Sequence, residues 1–266
     1  MPELIHISAV NAGAIGVLVS LLWCCSIRRR DTGIVDPFWG TGFVVVAWTT
    51  AFQWWRLGHE VHRLGWLLVA LTTAWGLRLS LYLLWRNWGE GEDRRYAQMR
   101  QHHGERFWWV SFFTVFALQG LILWVVSWPI QAGIASTGFT VSWAAGVGGI
   151  VWTIGIFFEA VGDWQMARFK ARPDTEGQVM HRGLWQYTRH PNYFGDFCVW
   201  WGIYLVACDA GAWWTVVSPL LMSFLLTRVS GVTLLETDIS ERRPAYREYR
   251  RRTNAFFPGP RRNTND

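Results

Sequence analysis

Residues 4–27, LIHISAVNAGAIGVLVSLLWCCSI, contain no Asp, Glu, Lys or Arg over 24 consecutive positions. A helix needs about 20 mostly apolar residues to cross the hydrocarbon core of a bilayer, so this run predicts a transmembrane helix. Six more mostly apolar windows follow, at 34–55, 64–85, 107–130, 141–166, 193–208 and 212–236. The sequence therefore predicts an all-α integral membrane protein with seven transmembrane helices. The first window does not read as a signal peptide, because its basic cluster follows the apolar run.

The arginines alternate between the predicted loops. Arg28, Arg29 and Arg30 close the first apolar window, and further arginines crowd the third loop, the fifth loop and the tail, whereas the second loop holds only Arg56 and Arg63. The positive-inside rule then predicts an outside N-terminus and a cytoplasmic C-terminus, and we expect a multi-pass protein of a bacterial inner membrane. The formal net charge of +6 fits attraction to anionic membrane lipids rather than to nucleic acid.

Arginine also binds phosphate through two parallel hydrogen bonds from its planar guanidinium. Of the 25 Lys and Arg residues, 24 are Arg. This bias favours a phosphate-bearing ligand, although a GC-rich genome would produce the same bias. The four cysteines and the scattered histidines lack the spacing of metal ligands, so no metal site is predicted.

Ionisable residues lie inside several predicted spans, where burying a charge is costly and usually marks a site or a pathway. They form stripes on the cytoplasmic halves of four helices: Arg78 with Tyr82, Glu159 with Asp163, Asn192 with Asp196, and Arg228 with Glu236. Residues four apart share one helix face. The stripes predict a polar ligand cavity that opens to the cytoplasm. The alternative is a set of interhelical salt bridges, such as Asp163 with Arg228.

The string RHPNYFGD, residues 189–196, places polar side chains at the start of the sixth span. Together with Glu159 and Asp163 before it, and Tyr246, Tyr249 and Phe257 after it, this string resembles the C-terminal half of the steroid 5α-reductase superfamily, most closely its bacterial branch of uncharacterised membrane proteins. Sterol C14 and C7 reductases carry a nearly identical RHPNYxGD string. Isoprenylcysteine carboxyl methyltransferases carry a related RHPxYxG. The resemblance covers about residues 155–258.

The chain has no long polar linker or internal repeat, so a single membrane domain over residues 1–266 is expected. The resemblance implies that helices 1–4, in residues 1–140, face the substrate, and that helices 5–7 with the tail, in residues 141–266, bind NADPH in a cavity open to the cytosol. Matching the chain to the family's pattern assigns these residues to the cofactor: Arg78, Glu159, Asp163, Arg168, Arg172, Tyr187, Arg189, His190, Asn192, Tyr193, Asp196, Arg228 and Glu236.

The catalytic pair departs from that pattern. Steroid 5α-reductases use a glutamate and a tyrosine to polarise the substrate carbonyl, and the corresponding residues here are Asp36 and Trp75. Because an indole cannot release a proton, Tyr82, two turns further along, is the candidate partner of Asp36. The acid precedes a proline, so its side chain could instead cap the following helix. Otherwise, burial would keep Asp36 protonated and able to donate to a carbonyl.

The expected activity is transfer of a hydride from NADPH to a conjugated C=C bond of a lipophilic substrate, steroid-like or isoprenoid, in lipid metabolism. Two alternatives stay open: an S-adenosylmethionine-dependent membrane methyltransferase, and a non-catalytic lipid-binding protein. The third loop, at residues 88–96, combines glycines, acids and arginines. It is expected to be either a lid over the cofactor or a solvated connector.

Overall fold

The computed structural model describes residues 1–138, 142–175, 177–229 and 245–262. Within these ranges the chain is helical and has no β-strand, which confirms the all-α prediction. Four helical segments are long and apolar enough to cross a membrane: Pro2–Arg29, Arg63–Asn87, Arg94–Val126 and Trp143–Lys170. The protein is therefore an α-helical membrane protein.

The helices mostly match the predicted windows, with shifted ends. In chain order they are α1 (Pro2–Arg29), α2 (Phe38–Arg56), α3 (Arg63–Asn87), α4 (Arg94–His103), α5 (Phe107–Ser111), α6 (Leu118–Val126), α7 (Trp128–Ile134), α8 (Trp143–Lys170), α9 (Pro191–Asp209), α10 (Val217–Phe224) and α11 (Ala245–Arg252). A π-helical turn, Phe112–Ala117, joins α5 to α6, and a second, Leu225–Val229, follows α10. Short 3₁₀ turns include Thr32–Val35 and Gly183–Gln186.

The polar helix α4 occupies part of the predicted third loop. Its N-cap is Asp93, whose side chain accepts a hydrogen bond from the Arg95 N–H at 2.9 Å. A capping acid of this kind satisfies one of the amide donors that a helix start leaves without an intrahelical partner. The search for apolar windows did not find α4, because such windows identify segments that face lipid and not polar helices.

The chain folds into two compact units, each described separately. The N-terminal unit comprises Met1–Ala145 and Ile203–Ser218, and the C-terminal unit comprises Gly146–Gly202 and Pro219–Asp266.

In the N-terminal unit, α2 packs on α3 through glycine. A Cβ atom at Gly40 would lie 2.3 Å from the Gly76 carbonyl oxygen, so the two backbones touch there. Small residues permit such close approach between membrane helices. Beside this contact, the buried rings of Phe43 and Trp75 have their centroids 5.6 Å apart. The glycine contact therefore fixes α2, and the turn before it, against α3.

In the C-terminal unit, α8 packs on α9 in the same way. A Cβ atom at Gly155 would lie 2.6 Å from the Gly195 oxygen, and one at Gly202 would lie 2.7 Å from the Gly148 oxygen. Two glycine contacts, about two turns apart along each helix, hold the backbones together over the first half of α9. The side chains that flank these glycines consequently pack closely against the opposite helix.

Candidate functional site

In the N-terminal unit, Asp36 lies in the turn between α1 and α2. The N-cap of α2 is Pro37, which has no side-chain cap, so the Asp36 carboxylate does not cap the helix. It accepts a hydrogen bond from the Tyr96 hydroxyl at 2.8 Å and one from Arg95 Nη2 at 3.3 Å. Burial raises the pKa of Asp36 above its usual range, and the Tyr96 hydrogen bond and the Arg95 charge oppose that shift only in part. The acid therefore favours the protonated form more than an ordinary aspartate does.

Tyr96 is the residue that sequence reasoning missed at this site. It lies on α4, is 7% exposed, and accepts a hydrogen bond from Gln119 Nε2 at 3.3 Å. Gln119 is the second residue after the π-helical turn Phe112–Ala117, and such turns often occur at functional sites. Asp36, Tyr96 and Gln119 thus form one hydrogen-bonded row, which we call the Asp36 cluster.

The third loop is attached to the first loop by ionic hydrogen bonds. Glu92 accepts hydrogen bonds from the Thr32 N–H at 2.8 Å and from Arg100 Nη2 at 2.7 Å. The Arg100 guanidinium also lies 4.6 Å from the centroid of the Phe107 ring. Because Tyr96 and Arg100 are four apart on α4, one helix face carries both attachments. The α4 cap at Asp93 was the signal in the sequence that could have revealed this face.

The other predicted catalytic residue, Tyr82, belongs to α3 of the N-terminal unit. It is half-buried on α3, with the guanidinium groups of Arg78 and Arg86 lying 5.7 and 5.8 Å from its ring centroid. Tyr82 and Arg78 are thus neighbours, as their spacing predicted. The tyrosine that hydrogen-bonds to Asp36, however, is Tyr96.

In the C-terminal unit, both predicted acids of α8 are buried. Glu159 is 2% exposed and Asp163 is 7% exposed. A Cβ atom at Gly195 would lie 2.7 Å from Glu159 Cγ, and one at Gly162 would lie 3.5 Å from the Asn192 backbone nitrogen. The acidic stripe of α8 therefore packs against the first turns of α9, which carry Asn192, Tyr193 and Asp196. The sequence prediction that these residues share one region of the fold agrees with this packing.

The residues just before α9 hold the tail. Arg189 is buried, and its Nη1 donates to the carbonyl oxygens of Arg250 and Thr253 at 2.7 and 2.9 Å. His190 is also buried, and its ring stacks on Tyr193 at 5.5 Å between centroids. This geometry gives the Arg189 guanidinium a structural role, because it connects the start of α9 to the tail.

A cavity of about 350 Å³ lies at the end of α8, within the C-terminal unit. Its lining includes the predicted cofactor residues Arg168 and Arg172, together with Arg182, Gln165, His181 and one acid, Asp174. The three arginines are exposed, and within the described residues none of them forms a salt bridge. Gln165 also accepts a hydrogen bond from the Leu184 N–H at 2.9 Å, which ties the loop to α8. We call this space the arginine cavity.

Two further predicted residues, Tyr187 and Arg228, lie outside these contacts. Tyr187 is 45% exposed, and its carbonyl oxygen accepts a hydrogen bond from the Gly259 N–H of the tail at 3.1 Å. Arg228 is exposed on the second π-helical turn. Glu236 lies outside the described residues.

Comparisons with known proteins extend over most of the chain. A family model described as "Protein of unknown function (DUF1295)" matches residues 22–253. An uncharacterized protein from Schizosaccharomyces pombe is 25% identical over 287 aligned positions, which cover 93% of this chain and 80% of that protein. No solved structure matches the chain.

Proposed function

The chain belongs to the DUF1295 family, and we propose that it is a membrane-embedded, NADPH-dependent reductase that reduces a conjugated C=C bond in a lipophilic substrate. The observation that carries this proposal is the arginine cavity, in the same unit as the buried acids of α8. Three guanidinium groups around one space suit the phosphates of a dinucleotide, whereas carboxylates and an amide suit its ribose hydroxyls and carboxamide.

The proposal includes seven membrane helices with a cytoplasmic C-terminus. Beyond the four long spans, α2 and α9 each have 19 residues, or about 28 Å at 1.5 Å per residue. The run Trp213–Val229 is a further apolar helix. Arginines close α1, α3 and α8 at their C-terminal ends, which supports the orientation that the positive-inside rule predicts.

The residues that would hold NADPH are Arg168, Arg172 and Arg182 for its phosphates, and Glu159, Asp163, Asn192 and Asp196 for its other polar groups. These residues fit NADPH for two reasons. The arginines form no salt bridge with an acid among the described residues. The acids of α8 are already shielded from water by their packing against α9. When bound, NADPH would supply a hydride to the substrate.

The Asp36 cluster would stabilise the negative charge that develops on the substrate carbonyl oxygen. In the structure, the Tyr96 hydroxyl donates to Asp36. When Asp36 takes up a proton, it becomes the donor to the Tyr96 oxygen, and the Tyr96 hydroxyl proton is released to point at a ligand. Gln119 donates to the same oxygen and would hold it in place. A preorganised donor of this kind stabilises a developing oxyanion without reorganisation.

Equilibrium binding to the purified full chain in mild detergent tests the proposal. We expect NADPH to bind at least tenfold more tightly than NADH, because the additional phosphate needs a cationic partner. S-adenosylmethionine serves as the competing cofactor. Binding of S-adenosylmethionine without NADPH would replace the reductase with a methyltransferase, and binding of neither would favour a non-catalytic lipid-binding protein.

A further inference from the structure

The inner face of the C-terminal helix α11 is fixed against the rest of the C-terminal unit. Tyr246 and Tyr249 lie three residues apart on α11 and are 6% and 8% exposed. The Tyr249 hydroxyl donates a hydrogen bond to the Trp185 carbonyl oxygen at 2.5 Å. Arg189 holds the end of the same helix through the Arg250 and Thr253 carbonyl oxygens. The tyrosines of α11 therefore face the protein, and its other side chains are free to face outward.

The outward side chains of this tail are mostly basic. Residues 245–262 contain six arginines and one acid, Glu248, and all six arginines are exposed. Glu248 forms a salt bridge with Arg252. Arg247 and Arg251 are four apart and share one face of α11, and neither forms a salt bridge in the described part of the chain. We call this surface the arginine face of α11. It suits an anion.

The tail also reaches the level of the membrane helices. The ring centroid of Phe257 lies 6.1 Å from that of Phe194 and 5.7 Å from that of Phe197, both on α9. Phe194 lies 4.9 Å from Phe158 of α8, a helix long and apolar enough to cross a membrane. Phe158 is about 18 Å along this helix from its last residue, Lys170. Phe257 is 63% exposed, and an exposed aromatic ring at this depth suits contact with lipid chains.

The arginine face lies nearer to the end of α8. The Trp185 indole donates to the Gly162 carbonyl oxygen of α8 at 3.1 Å, and its backbone oxygen accepts the Tyr249 hydrogen bond, so Trp185 connects α11 to the C-terminal part of α8. The last turn of α8 carries Arg168 and Lys170. Basic residues at the end of a membrane helix are typical of the level of the lipid headgroups.

We propose that the arginine face of α11 binds the phosphate headgroup of an anionic phospholipid, while Phe257 contacts the lipid chains. Charge complementarity favours an anionic over a zwitterionic headgroup. The depth of Phe257 favours a membrane lipid over a soluble phosphate. The site uses other residues than the arginine cavity and does not depend on the proposed reductase activity.

Native mass spectrometry of the full chain, released from a neutral maltoside detergent, tests the proposal. The probes are phosphatidylglycerol and phosphatidylcholine with the same palmitoyl and oleoyl chains, and inorganic phosphate as a competitor. We expect phosphatidylglycerol to bind at least tenfold more tightly than phosphatidylcholine. Equal binding of the two lipids would overturn the proposal. Displacement of phosphatidylglycerol by an equal concentration of inorganic phosphate would show a site for soluble phosphate, and would overturn it too.

Paired substitutions locate the headgroup site. Arg247→Gln with Arg251→Gln should weaken phosphatidylglycerol binding about tenfold and leave phosphatidylcholine binding unchanged. Both positions are exposed, so the helical circular dichroism should not change. Arg28→Gln with Arg29→Gln is the matched control, because it removes the same charge from exposed positions at the end of α1. An equal loss in both pairs would mean that only net charge attracts the lipid, and would overturn the assignment to α11.

Phe257→Ser tests the contact with the lipid chains. We expect both lipids to bind about threefold more weakly, because the lost apolar contact does not depend on the headgroup. The preference for phosphatidylglycerol should remain. Unchanged binding of both lipids would remove Phe257 from the site.

Discussion

The Asp36 cluster and the arginine cavity differ in whether their charged groups already have partners. Asp36, Tyr96 and Gln119 are joined in one hydrogen-bonded row, and Arg95 adds its charge to the acid. The three arginines of the cavity, by contrast, are exposed and form no salt bridge among the described residues. A preformed cluster suits stabilisation of a reacting group, whereas a space where three arginines outnumber one acid, Asp174, suits capture of an anion. The two regions therefore divide the proposed chemistry between them.

The sharpest test of this division is Tyr96→Phe, which removes the hydroxyl and leaves the ring. We expect turnover to fall about 100- to 1,000-fold, as when an oxyanion donor is lost, with NADPH affinity unchanged. The measurement is NADPH oxidation by the purified chain with a lipophilic cyclic enone as the acceptor, beside an NADPH binding curve. Asp36→Asn should behave in the same way.

Tyr82→Phe is the matched control, because it removes the hydroxyl of the tyrosine that the sequence singled out. We expect near-normal turnover in this variant. If Tyr82→Phe is inactive and Tyr96→Phe is active, the Asp36 cluster is not the catalytic one, and the α3 stripe with Arg78 takes its place.

The difference between Tyr82, which the sequence singled out, and Tyr96, which the structure places beside Asp36, shows what the sequence can predict. The length and apolar character of 4–27 predict a membrane helix, and the spacing of Glu159 and Asp163 predicts a shared, buried face, because both arguments need only local periodicity. Tyr96 lies 60 positions from Asp36, in a polar segment without apolar periodicity. Its pairing with Asp36 depends on how α4 packs on the first loop, which local periodicity does not encode.

Two contacts in the C-terminal unit also could not be predicted from local periodicity. Arg168 and Arg172 could be chosen from a family pattern, but Arg182 lines the cavity because the loop after α8 folds back, tied by Gln165 to Leu184. Arg189 was matched to the residues around the cofactor, and the structure adds that its guanidinium donates to carbonyl groups of the tail. Both contacts depend on long-range backbone positions.

Gly195→Ala tests whether close helix contact positions the acids of the C-terminal unit. The added methyl would lie 2.6 Å from the Gly155 oxygen and 2.7 Å from Glu159 Cγ, so α8 and α9 must separate. We expect the free energy of unfolding in detergent to fall by about 1–3 kcal/mol, as for other overpacked cores, with loss of NADPH binding. Gly149→Ala is the matched control on α8, since its methyl would meet nothing within 4 Å. This control should be neutral or slightly stabilising.

Arg172→Ala tests the arginine cavity directly. Loss of one guanidinium should weaken NADPH binding about tenfold and NADH binding less, because the additional phosphate of NADPH loses a partner. Arg56→Ala, at the exposed end of α2, is the control and should bind both cofactors normally. Equal weakening for NADPH and NADH would mean that Arg172 contacts the shared pyrophosphate. No change for either cofactor would remove the cavity from the cofactor site.

The smallest effect concerns the attachment of the third loop beside the Asp36 cluster. Burial alone would raise the pKa of Glu92, but hydrogen bonds from Arg100 and from the Thr32 N–H lower it below its ordinary value of 4.5. A lowered pKa means that the folded state favours the charged form, so the resulting stability is complete above pH 4.5 and is lost as the pH falls below it. We expect this attachment to contribute about 1 kcal/mol. Thermal unfolding between about pH 7 and about pH 3.5 should then show a smaller acid-induced loss of stability in Glu92→Gln than in the unchanged chain.

The matched variant Glu90→Gln, at an exposed position of the same loop, should keep the full dependence of stability on acid. If both variants keep it, the Glu92 attachment does not hold the loop, and the position of Tyr96 depends on its own bonds to Asp36 and Gln119.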